Sequence, residues 1–145
     1  MQVFIIGSPL ETAKALDKRR LNKQIIECEQ ILKAINGETD AYKNHPCTIQ
    51  YREHVMWLKW YQRCLDLFKR GDLIGAEGCN NSANMIKPKW HTETYFNQMK
   101  RRLYTKDKEY YKQWASLGES NCNWYWSQKE NRFIKYINGK KLNDY

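Results

Sequence analysis

At 145 residues, 41% of them hydrophobic, the chain is sized for one domain with a real core and is too short for two comfortable ones. Its 25 Lys plus Arg against 16 Asp plus Glu leave a formal charge of +9, a field that attracts polyanions, nucleic acid ahead of an anionic membrane surface or an acidic protein. The N-terminal apolar run is short and lacks a basic flank and cleavage site, and no stretch reaches spanning length, so neither a signal peptide nor a membrane segment is expected and the chain reads as cytosolic.

Residues 2–6 read as a short strand or a buried extended arm. Ser8, Pro9 and Glu11 then form a capping box with proline in the first turn, which predicts a long helix from Pro9 to Ile35, stopped by Asn36-Gly37. After a polar loop ending in Asn44-His45-Pro46, a second long helix is expected over Thr48–Arg70, with Tyr51, Val55, Leu58, Tyr61, Leu65 and Phe68 inward and Gly71 as its stop. The two long helices make an antiparallel hairpin. Shorter helices are predicted over Asp72–Ile86 and Thr92–Leu103, the latter carrying Lys100-Arg101-Arg102 near its C-terminus, and Asp107 caps another through Trp114. Beyond Gly118 the pattern alternates, giving strands at 124–126 and 132–137 and a turn at Asn138-Gly139. The expected fold is mainly α: one helical domain over residues 1–145 built on two long helices, with a short N-terminal arm and a small C-terminal β-hairpin from about residue 120.

Within the first helix Arg20, Lys23, Gln24 and Glu27 recur at spacings of three and four and share one stripe, while Leu21, Ile25, Cys28, Leu32 and Ile35 form an apolar one. A carboxylate delivered onto a cationic surface suits a phosphate-bearing substrate. The same spacing also suits an ordinary amphipathic helix with a weak Lys23/Glu27 pair. Six Trp and ten Tyr, several beside charges, are able to stack bases in a basic groove, although rings at helical spacing equally make core.

The five cysteines lack any C-x-x-C spacing and read as reduced thiols, and His45, His54 and His91 form no zinc-like spacing, so no metal is expected. No P-loop, G-x-G-x-x-G, G-x-S-x-G elbow or acidic triplet occurs, so no cofactor is expected either. What remains is a glutamate in a basic, aromatic-rimmed setting, chemistry that stabilises a sugar cation or moves a proton at a glycosidic bond.

Leu16-Asp17, Arg20-Leu21, Lys23-Gln24 and Glu27, followed by His45-Pro46 and the aromatic helix around Trp57, resemble the pyrimidine-dimer DNA glycosylases typified by phage endonuclease V, and especially an uncharacterised phage and bacterial branch. Lys100-Arg101-Arg102 and Asp107-Lys108-Glu109-Tyr110 extend the resemblance, which covers about the first 115 residues. It implies a DNA glycosylase with abasic-site lyase activity, in which an N-terminal α-amine attacks the sugar C1′, a glutamate assists and the imine collapses by β-elimination. Glu27 aligns with that glutamate. Ile26 and Gln30 stand where the family has arginines, and Gln2 is too bulky to favour removal of Met1, so the amine implied is that of Met1. As a class α-amines titrate near ~8, which keeps a free-base fraction at neutral pH.

The expected site is therefore Glu27 and Met1 for catalysis, with Arg19, Arg20, Lys23, Gln24, His45, Lys100, Arg101 and Arg102 for binding, on duplex DNA with a damaged or modified base, in the host cytoplasm if phage-encoded. The alternative is a non-enzymatic protein of the same fold that holds a nucleotide or nucleic acid, such as a phage protein sequestering a signalling nucleotide; a duller one is an interaction module whose basic stripe is a solvated face. His45 also fits a purely capping role before the next helix.

Overall fold

A computed structural model describes residues 1–142. The arm is extended and buried, with Val3 and Ile5 fully enclosed, and Ser8 and Glu11 form the expected capping box for α1 (Pro9–Ala15). The single helix expected to run on to Ile35 is divided: Leu16 turns extended, Asp17 caps a new helix, and α2 covers Lys18–Ile35. A distant partner stabilises the break. The Asp17 amide donates to the Tyr111 hydroxyl oxygen at 3.0 Å, and that hydroxyl donates back to the Asp17 carboxylate. Arg20 consequently sits in the first turn of α2 rather than mid-helix.

The second long helix is likewise two, α3 (Pro46–Tyr51) and α4 (Val55–Lys69), separated at residues 52–54. His45 caps α3, its Nδ1 accepting the Cys47 amide at 3.0 Å. Next come α5 (Leu73–Met85), capped by Asp72 and close to its predicted span, and α6 (Glu93–Lys106), one turn longer than expected. Asp107 ends α6 and closes a turn to the Tyr110 amide instead of opening a helix; the following piece is a 3-10 helix at Lys112–Leu117. The C-terminal hairpin, β1 (Asn123–Ser127) and β2 (Arg132–Ile137), gains a short third antiparallel strand, β3 (Lys140–Lys141). Asn138 and Gly139 both take positive φ, the backbone a two-residue hairpin turn of that hand requires.

Helix α4 is the hub, packed against α1, α2 and α5. Its Trp57 stacks between Tyr51 and Tyr61, with ring centroids 5.4 and 5.0 Å away, and all three rings are buried. These aromatics are core. On α2 the buried positions are Leu21, Gln24, Glu27, Cys28, Ile31 and Ala34, so Ile31 and Ala34 sit deeper than the expected Leu32 and Ile35, and Gln24 and Glu27 of the Arg20–Glu27 stripe are buried rather than solvated. All five cysteines are free. Among the described residues no helix is long and apolar enough to cross a membrane.

His91 lies inside this aromatic core, its Nε2 3.1 Å from the Tyr51 hydroxyl and its ring edge-on to Trp57 and Trp90. Burial lowers its pKa to about 3 from 6.5. The folded state thus resists a proton that the unfolded chain takes up, so stability is full above about pH 6.5 and is lost as pH falls toward 3. Urea midpoints at pH 7.5 and 5.0 are expected to differ by about 2 kcal/mol of unfolding free energy, and His91→Gln should flatten that dependence.

Candidate active site

The arm is held by side chains and pairs with no strand among the described residues. Gln24 on α2 accepts the Phe4 amide at 3.0 Å through Oε1 and donates from Nε2 to the Gln2 carbonyl at 2.8 Å. The Tyr61 hydroxyl donates to the Phe4 carbonyl, and the Tyr125 hydroxyl to the Met1 carbonyl at 2.5 Å. Gln2 exchanges both of its amide groups with the Trp124 backbone, at 2.9 and 3.1 Å. Every backbone group that these contacts satisfy is one that an isolated extended segment leaves orphaned inside a protein. They fix the first residue of the chain at the mouth of a cleft.

That cleft, of about 250 Å³, is lined by Met1 and Gln2 from the arm, Arg19, Arg20, Lys23, Gln24 and Glu27 from α2, Arg102 and Lys106 from α6, and Asn123 from β1. Five cationic side chains face one carboxylate. Glu27 is only 8% exposed; its Oε1 lies 3.7 Å from the Lys23 ammonium, and its Oε2 is buried with no hydrogen-bond partner. Burial raises the Glu27 pKa, against the pull of the N-terminal ammonium, Lys23, the Gln2 amide and Lys106. A partly desolvated carboxyl with an unused buried oxygen holds a proton more readily than an exposed one and is suited to proton exchange.

The cations are arranged against their own interests. Arg19 and Arg20 occupy the first turn of α2, where the helix dipole disfavours positive charge and favours an anion. The Lys106 pKa is lowered, first by burial and then by Arg102, Arg20 and Lys23. Arg20 is steadied by Asp17, with Nη1 3.2 Å from Oδ1, and lies over the Tyr111 ring. At Asp17 burial acts to raise the pKa, but hydrogen bonds from Tyr111 and Arg20 outweigh it and the net shift is down. An anion seated among these side chains would relieve their mutual repulsion.

Of the residues expected from the sequence, Met1, Arg19, Arg20, Lys23, Gln24, Glu27 and Arg102 line the cleft. Arg102 also donates to the Asn123 side chain at 3.1 Å. Gln24 is 2% exposed and spends its amide on the arm. His45, Lys100 and Arg101 do not line it: the His45 ring nitrogen caps α3, and Arg101 donates to the Leu117 carbonyl at 2.7 Å. Lys106 is the cleft cation that sequence reasoning missed, because α6 was ended a turn too early; its i+4 spacing from Arg102 is the signal that finds it. Ile26, at a family arginine position, is 59% exposed and outside the cleft.

Fold and cleft together describe a small helical protein with a cationic cleft built around one buried glutamate and the start of the chain. Residues 1–71 match the family model of pyrimidine dimer DNA glycosylase, so the family resemblance read from the sequence holds over the arm and α1 to α4. The match ends at Gly71, before Lys100-Arg101-Arg102. No curated protein and no solved structure matches the chain.

Proposed function

We propose that the protein is a DNA glycosylase with abasic-site lyase activity, acting on a damaged or modified base in duplex DNA, pyrimidine dimers being the lesion that the family description names. The observation that carries this reading is the convergence of the chain's first residue, buried Glu27 and five cations on one cleft. The Met1 α-amine in its free-base form attacks C1′, the C1′–N bond breaks, and the base departs with a proton supplied at its ring nitrogen or carbonyl. The amine adduct sheds a proton, the sugar ring opens as the C1′–O4′ bond breaks and O4′ takes up a proton, and the resulting protonated imine loses a C2′ proton to a base, with the C3′–O bond breaking to release phosphate on the 5′ end of the downstream strand. In this reading Glu27, whose burial favours the protonated form, exchanges protons at the sugar, and Arg19, Arg20, Lys23, Arg102 and Lys106 hold the flanking phosphates. Exposing C1′ requires a base to leave the stack, and a cationic cleft stabilises the distorted backbone.

The test is borohydride trapping on duplex DNA that carries an abasic site, with the N-terminus of the protein confirmed by mass. A covalent adduct that maps to the Met1 amine, and that disappears when the amine is acetylated, is the expected result. An adduct mapped to a lysine removes Met1 from the mechanism. No adduct, with binding intact, selects the non-enzymatic alternative, a protein that holds a nucleotide or nucleic acid in the same cleft. That alternative draws on the pinned arm, which fixes the Met1 carbonyl at Tyr125.

A further inference from the structure

A second cavity, of about 630 Å³, shares no lining residue with the basic cleft. Its walls include Trp90, Trp126 and Phe133, with Lys87 and Lys89 at the rim, all beyond the last residue of the family match. Trp126 and Phe133 are directly paired across β1 and β2 and so share a face of the sheet. The Trp90 and Trp126 rings are nearly parallel, 7° apart with centroids 6.4 Å from each other, and Phe133 stands edge-on to both.

Two features of this cavity have no use within the fold. The Trp90 indole Nε1–H is buried and makes no hydrogen bond. Lys87 and Lys89 flank buried Pro88, are exposed, and form no ion pair among the described residues. The one carboxylate in the wall, Glu53, is already engaged: with its amide nitrogen turned toward it, Gln128 donates to both Glu53 oxygens, at 2.6 and 3.1 Å. Burial lowers the pKa of His54, also in the wall, and so favours its neutral form. The rim is therefore net cationic above an aromatic wall.

We propose that this cavity is a nucleotide site separate from the cleft at Glu27, with a base stacked on Trp126 and bounded by Phe133, a base-edge acceptor on the Trp90 N–H, and phosphate on Lys87 and Lys89. Stacking with cationic backbone contacts is how proteins hold unpaired nucleotides, because every base has a π-face while the phosphate sets the charge. A cationic ligand is repelled by the two lysines. A purely apolar ligand leaves the indole N–H unpaired. The nucleotide is either free in solution or an unpaired residue of a strand, and the assignment does not depend on the glycosylase chemistry.

The experiment measures binding of dAMP and of a ten-nucleotide single strand to the full chain and to two variants, Lys87→Glu with Lys89→Glu, and Trp126→Ala. A double reversal at Lys14 and Lys33, which line neither cavity, measures the general electrostatic loss. The proposal expects the Lys87/Lys89 reversal to weaken binding at least about tenfold beyond that control, and Trp126→Ala to do the same. Weakening for dAMP identifies a free-nucleotide site; weakening for the strand alone identifies an unpaired nucleotide within it. If neither probe binds the Lys87/Lys89 variant less well than the control reversal, the proposal is overturned, and because these lysines are exposed that outcome stands even if Trp126→Ala fails to fold.

Discussion

Glu27→Gln is expected to lower the rate of strand cutting and of imine trapping by about 10²- to 10⁴-fold while leaving affinity for duplex DNA close to that of the parent. The substitution keeps the shape of the side chain and removes the titrating proton. In the proposed mechanism affinity rests on Arg19, Arg20, Lys23, Arg102 and Lys106, all of which the variant keeps, and losing the negative charge beside Lys23 favours phosphate if it has any effect. The same variant carries a second expectation, on stability. The folded-state pKa of Glu27 is raised by burial, so its stabilising contribution is full below the unfolded carboxyl pKa and is lost as pH rises through the folded value. Above that folded value the ionised carboxylate is a net burden on the fold, and Glu27→Gln should melt no lower than the parent and gain relative to it as pH rises. A functional residue commonly carries such a cost. Activity assays and melting curves on the one variant separate the alternatives: a clear drop in melting temperature at pH 7.5 would make Glu27 a structural anchor, and retained cutting would remove it from the mechanism.

Gln24→Ala is expected to be the most damaging polar substitution in the site, and for a reason that no electrostatic argument supplies. The Gln24 amide is the clamp between α2 and the arm, and its loss leaves the Phe4 amide and the Gln2 carbonyl buried without these partners. Two stranded backbone groups cost about 2–4 kcal/mol, enough to shift a urea midpoint plainly in a domain of this size. The activity consequence is separate. With the clamp gone the first residue is held only by the Tyr125 and Trp124 contacts and is less firmly positioned, and misplacement of a nucleophile by an ångström is worth about 10²-fold in rate. Trapping rates measured well below the melting temperature of the variant test the positional effect apart from the stability effect. If Gln24→Ala is destabilised but traps abasic DNA at the parental rate, the arm holds the fold together without placing the amine.

Both predictions depend on contacts that link residues far apart in the chain, and that divides what was legible from what was not. Elements whose signals are local were readable: the Ser8/Glu11 capping box, the stop at Gly71 and the Asn138-Gly139 turn are each decided by a few adjacent residues whose backbone preferences and side-chain hydrogen bonds are settled within one turn. The two helix breaks were not readable in this way. At Leu16-Asp17 the helical pattern continues across the break, and Asp17 becomes a cap in partnership with Tyr111, 94 residues later. At residues 52–54 periodicity again gives no warning.

The sequence by itself determined a helical, strongly basic domain, the stripe from Arg20 to Glu27 and the family resemblance, because composition, period and motif are properties of neighbouring residues. Only the tertiary structure decided that Glu27 is buried with an unused oxygen, that Gln24 ties down the arm, that Lys106 rather than Lys100 or Arg101 joins the cleft, and that His45 spends its ring nitrogen on a helix cap. The physical reason is that burial and charge clustering are set by which surfaces meet. The cleft exists because the arm, α2, α6 and β1 each supply part of its wall, and the free energy that holds these elements in place is spread over a core no single segment contains.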